Sequence, residues 1–273
     1  MNQHIQDGPP DSSGIGRLKI NGSRFFELVL FRAYAELTAE AARFSLGVLW
    51  WLIEPILYVG VFYLIFGIIF QRGGEGFVFS LLTGLLTWRW FDASVRGGAT
   101  SIQGNAALIR QIAIPKLTFP IVVLLVNLAK FCIVFSIFLV FLTLVHGAPT
   151  SRWLVLPLLL SVQLLFTAGV SFMIAAWVPF FPDLIMINNQ FLTLWFFLSG
   201  IFFDISNVDA KFRALLLLNP MAVIIDSYRA VLLHDVWPDW LAIGKVAVIS
   251  IMIILASLIF YRRFDHTYPK LVF

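Results

Sequence analysis

The sequence predicts an all-α integral membrane protein with six transmembrane helices. Three observations carry this. Of 273 residues, 60% are apolar and 12% charged, with a mean hydropathy of +0.92; a water-soluble fold cannot hide that much hydrophobic surface, so lipid is the solvent. Apolar runs long enough to cross about 30 Å of hydrocarbon recur at about 48–70, 77–96, 117–145, 153–180, 184–203 and 240–261. Basic residues are unequally shared between the connections.

The first 22 residues are rich in polar, Gly and Pro positions, lack the apolar core of a signal peptide and read as a cytoplasmic tail. Over 23–45, Phe26, Leu30, Ala33, Leu37, Ala41 and Phe44 recur every three or four positions, with Arg24, Arg32, Glu36, Glu40 and Arg43 opposite them. This is a charged amphipathic helix suited to the membrane interface. Residues 23–273 then form one membrane domain.

With the N-terminus inside, six spans return the C-terminus to the same side. Arg17, Lys19, Arg24, Arg32, Arg43, Arg96, Arg110, Lys116, Arg262, Arg263 and Lys270 then face the cytoplasm, against Arg72, Arg152, Lys211, Arg213 and Arg229 outside. The net charge of +4 and pI near 9.4 fit Lys and Arg flanking spans. Residues 214–233 tempt a seventh span, but Asn219 and Pro220 interrupt them and Asp226 and Arg229 would enter lipid. Two short helices dipping into the outer leaflet are expected instead.

The motifs of common active sites are absent. There is no GxxxxGK[ST] phosphate cradle, HExxH or CxxC, and His4, His146, His234 and His266 have no metal-ligand spacing. The chain is therefore read as non-catalytic, without a cofactor or metal of its own. Cys132, the single cysteine, reads as a small buried hydrophobe. Within spans, Arg89 and Asp92 are spaced to pair, Lys245 can snorkel, and Lys130 either meets a carboxylate on a neighbouring helix or belongs to a proton relay.

Aromatic stripes are the stronger clue. Trp51, Tyr58, Phe62 and Phe66 share one face of the first span, and Phe191, Trp195 and Phe202 one face of the fifth, beside Asn188 and Ser199. Such stripes serve packing and lipid contact, or they line a path on which the apolar faces of sugar rings slide. On the inner side, 105–114 forms a short helix ending before Pro115 that exposes Leu108, Ile109 and Ile112 beside Arg110, as a connector or a protein-docking knob.

Three stretches in order, FSLGVLWWLIEP (44–55), GLLTWRWF (84–91) with NAALIRQIAIPKLTFP (105–120), and LNPMAVIIDSYRAVLL (218–233), resemble the ABC-2 permease subunits that export O-antigen, capsule or teichoic-acid polymers. The resemblance implies a homodimer working with two separate nucleotide-binding ATPase subunits, which hold the ATP and Mg. It implies that 105–114, through Asn105, Leu108, Ile109, Arg110 and Ile112, is the cytoplasmic coupling helix, and that 23–45 is the interface helix. The first and fifth spans would line the channel, and 218–233 would supply the two short outer-leaflet helices. A pyrophosphate-linked head group would meet Arg43 and Arg96, chosen on charge and position; Arg43 also fills the basic place that often precedes the family's SxLG signature. The tail is longer than the family minimum. The expected function is export of a lipid-linked, O-antigen-like polysaccharide across a bacterial inner membrane, with both termini cytoplasmic. Alternatives are an exporter of teichoic acid, a lipid or a drug, and a membrane-embedded transferase acting on lipid-linked sugars. The sparse polar residues in the spans argue against the transferase.

Overall fold

The computed structural model describes residues 22–43, 45–69, 76–111, 114–203, 205 and 208–271, and these are helical, with no strand among them. The expected tail, Phe44 and Ile112 lie outside the described residues.

Helix α1 (Gly22–Arg43) runs along α5 (Thr118–His146). The packed stripe keeps Ala33 and Leu37 of the expected one but begins one position earlier, with Phe25 and Val29 in place of Phe26 and Leu30. Val29 and Ala33 are buried against Val122 and Val126, with Phe25 and Leu37 beside them, whereas Phe26 and Leu30 are exposed. Helix α1 carries two adjacent apolar strips, and only one can meet α5; the other faces outward. Arg32 crosses to the bundle, donating to the Asn105 side-chain oxygen and lying 4.9 Å over the Phe119 ring.

Helix α2 (Leu49–Phe62) continues as a π-helical stretch, Tyr63–Ile69. Among the described residues, four stretches are long and apolar enough to cross a membrane: Leu49–Ile69, Thr118–Val145, Ser151–Trp177 and Trp240–Phe264. The chain is thus a multi-pass membrane protein. The other two expected spans differ in kind. Helix α3 (Phe77–Ser101) has the length, but polar residues dilute its hydropathy because it occupies the middle of the bundle. Its Thr83, Thr87 and Ser94 are fully buried. Helix α7 (Leu184–Phe197) is apolar but has 14 residues, about 21 Å at 1.5 Å per residue.

After α4 (Ala106–Gln111) and α5, helix α6 (Leu156–Trp177) packs most extensively on α10 (Trp240–Phe264). Small residues set the close approaches. A Cβ on Gly98 would lie 2.1 Å from Ser171 Oγ, and one on Gly169 would lie 3.2 Å from the Ser250 carbonyl. Polar side chains then hold neighbouring helices: Gln163 Nε2 donates to the Thr87 carbonyl at 2.8 Å and Ser171 Oγ to that of Ser94 at 3.0 Å. Cys132 is exposed on α5 rather than buried, because that side of the helix faces away from α3 and α6.

Between α7 and α10 lie two short helices, α8 (Ala210–Leu216) and α9 (Pro220–Leu232). At 13 residues α9 spans about 20 Å, and Asn219 and Pro220 begin it rather than sit inside a longer helix. The Arg229 charge, which a seventh span would have put into lipid, is buried within protein. Arg229, 1% exposed, donates to the carbonyls of Ser80, Gly200, Ile201 and Phe203 at 2.6–3.2 Å. A final turn, α11 (Tyr268–Leu271), docks on the far end of α6.

Candidate functional site

The aromatic stripe of α7 is turned largely inward. Trp195 meets Phe191 at 5.1 Å, Phe91 at 5.2 Å, Phe166 at 6.1 Å and Trp88 at 6.2 Å between ring centroids. Such edge and offset contacts add to area burial. Asn188 and Ser199 are buried, and Phe191, at the edge of the stripe, is 55% exposed. Asn219 organises this end. Its side-chain oxygen accepts from the Trp195 indole at 2.8 Å and from the backbone N–H groups of Met221 and Ala222, capping α9, while Nδ2 donates to Ser199 Oγ at 3.1 Å. The Asn-Pro pair that opens α9 was the sequence signal for this cap.

The two stripes meet through Phe62 and Phe202, whose ring centroids are 4.6 Å apart, and Tyr58 follows Phe62 at 6.4 Å. The α2 stripe is otherwise open: Tyr58 is exposed and Trp51 half-buried. The Phe66 side chain lies outside the described residues.

The cations pair differently from the expectation. Asp92 is taken by Arg96, one turn along α3, whose Nε contacts both carboxylate oxygens at 2.8 and 2.9 Å. An i, i+4 arginine reaches straight back along its helix, which the i, i+3 Arg89 does not. Arg96 also donates to Asn189 at 2.9 Å, so the head-group candidate is already a strut between α3 and α7. Arg43 stays exposed at the end of α1. Arg89 instead pairs with Glu54 at 2.5 Å and lies 5.3 Å over the Tyr58 ring. Lys130 meets Glu40 at 2.5 Å and lies 5.7 Å over Trp51, so of its two readings the paired one holds.

The segment expected to present a knob is a tight turn, Gln103–Asn105, followed by α4. Ile109 is not exposed: it is 4% accessible, packed in a cluster with Phe172, Ala175, Ala176 and Tyr268, with Leu108 half-buried beside it. A six-residue helix this apolar must cover its hydrophobic side somewhere, and the ends of α6 and α10 supply the partner. The outward face is Ala107, Arg110 and Gln111. Beneath it the Tyr268 hydroxyl donates to the Ala176 carbonyl at 3.0 Å, and burial raises its pKa so that it keeps its proton.

Comparison with known proteins bears on this arrangement. The sequence profile of the ABC-2 type transporter matches residues 34–233. The O-antigen export system permease protein RfbA of Myxococcus xanthus is 32% identical over 240 residues, 86% of this chain and 92% of that one. Its namesake in Klebsiella pneumoniae is 27% identical over 78% of this chain and 83% of its own length. The polysialic acid transport protein KpsM of Escherichia coli is 21% identical over 83% and 89% respectively.

Proposed function

The chain belongs to the ABC-2 type transporter family, and from that membership we propose that it is the permease subunit of an ATP-driven exporter of lipid-linked, O-antigen-like polysaccharide. The observation that carries the proposal is the 32% identity shared with an O-antigen export permease over nearly the full length of both chains.

In this reading six helices cross the bacterial inner membrane with both termini in the cytoplasm, α3 and α7 being the second and fifth spans. Two copies work with two nucleotide-binding subunits, which hold ATP and Mg and perform the hydrolysis. The motion of those subunits enters through the segment 105–114. The linkage from Asn105 to Arg32 and the burial of Ile109 support this, since α1, α4 and α11 then move as one rigid cap. The first and fifth spans line the path, with Trp51, Tyr58, Phe62, Phe191, Trp195 and Phe202 as its aromatic surface. The Phe62–Phe202 contact is the point where the two helices separate to admit cargo. Arg43 is the exposed cation for the pyrophosphate, and α8 and α9 gate the outer leaflet.

The test is purification of the chain from membranes together with the ATPase encoded beside it, followed by hydrolysis and cargo export in vesicles. Expected is a stable complex whose hydrolysis responds to changes in 105–114 and whose vesicles take up a lipid-linked polymer. Absence of any ATPase partner, or transport of drugs or simple lipids alone, overturns it.

A further inference from the structure

Between α1, α2, α3 and α5 is a cavity of about 260 Å³ of which the roles above use only Trp51. It contains both cross-helix ion pairs, Glu54–Arg89 and Glu40–Lys130, each with carboxylate and cation only partly covered. Three of these four charges lie inside spans, where charge is expensive unless paired and kept in polar surroundings, and Glu40 joins them from α1, so a cavity bearing them is polar by construction. Its formal charge is zero. A phosphate would have to displace a carboxylate from its cation, whereas a neutral hydroxyl can donate to the carboxylate and accept from the cation without breaking either pair.

The rest of the lining points the same way. Trp50, Trp51 and Trp90 present three indoles. Trp90 is 3% exposed and stacks on Phe131 at 4.6 Å, which fixes the ring as a firm wall. Asn127 adds a donor and an acceptor. Pro55, in the wall, has no N–H for the carbonyl of Trp51 four residues back, which leaves that acceptor without its helical partner.

Aromatic walls, a side-chain amide and a charge-neutral set of paired ions are the complement of one polyhydroxylated ring. We infer that this cavity binds a single pyranose unit of the lipid-linked cargo at the entry side of the first span; the inference rests on the polysaccharide reading above. The size fits one ring rather than an oligosaccharide. The occupied site sets a sugar beside Trp51, the first aromatic of the proposed path.

The experiment uses the full chain with its ATPase in phosphatidylcholine nanodiscs and reads tryptophan fluorescence. Three probes are titrated: a short prenyl diphosphate carrying one N-acetylglucosamine, the same prenyl diphosphate without sugar, and free N-acetylglucosamine. A saturable change with the sugar-bearing lipid, absent with the sugar-free one, supports the site. Competition by the free sugar assigns recognition to any ring of the polymer; no competition assigns it to the lipid-proximal ring. Asn127→Leu removes the side-chain amide and is expected to weaken binding three- to tenfold, about the worth of one hydrogen bond. Trp50→Leu, which removes one aromatic wall at an exposed position, tests the same site should Asn127→Leu not assemble. Equal responses to both prenyl diphosphates, no response to either, or unchanged affinity in an assembled variant overturns the proposal. ATPase assembly and hydrolysis are read on the same sample, so a complex that hydrolyses ATP but ignores sugar refutes the pocket alone.

Discussion

The indole N–H of Trp195 and the side-chain oxygen of Asn219 are 2.8 Å apart, and that same oxygen caps the first turn of α9. One side chain thus ties the aromatic face of α7 to the start of the short helix pair.

Replacing Asn219 by Ala removes the cap and strands the Trp195 donor. The expected destabilisation is about 2–3 kcal/mol, the sum of a lost N-cap and an unsatisfied buried N–H. Thermal unfolding of the purified protein in nanodiscs checks it; a change within error would show that the cap is dispensable.

Arg229 holds four backbone carbonyls from two separate segments, Ser80 on α3 and 200–203 after α7. Arg229→Lys keeps the charge but loses the planar fork, so it should lower the yield of folded protein almost as much as Arg229→Gln. Gly84→Ala should act on the same joint, since its Cβ would lie 3.1 Å from Arg229 Nη2 and 3.3 Å from the Ile201 backbone. Limited proteolysis of the segment joining α7 and α8 reports the loosening.

Gly98→Ala drives a methyl into Ser171 Oγ and is expected to destabilise the α3–α6 contact by about 1–3 kcal/mol. Adding Ser171→Gly should restore most of that. A double-mutant cycle on thermal stability measures the coupling, and strict additivity would contradict the contact.

Because Ile109 is buried, Ile109→Asp tests folding before it tests coupling. The exposed neighbour separates the two. Arg110→Glu is expected to leave expression and melting unchanged while reducing ATPase co-purification at least tenfold. Loss of the folded protein instead would place Arg110 in the core of the cap.

Hydrogen bonds from Arg152 and Thr150 hold the Asp235 carboxyl below the usual carboxylate range. A depressed folded-state pKa contributes stability above the unfolded value and loses it as pH falls through the folded one. Wild type should therefore exceed Asp235→Asn at neutral pH, and the two should converge on strong acidification. Melting curves across that range decide it.

The sequence by itself determined that this is a helical membrane protein. Hydrophobic run length and residue charge are local quantities that lipid reads directly, and they located the four long apolar helices. The three ABC-2 stretches, being local too, pointed to the family that the comparisons establish. Partner choice was decided only by tertiary structure. Arg89 finds Glu54 rather than Asp92, Lys130 finds Glu40, Ile109 turns into the bundle, and α1 packs through Val29 rather than Phe26. Each of these depends on which helix stands opposite. Helical periodicity defines the faces of a helix but carries no information on which neighbour will cover them.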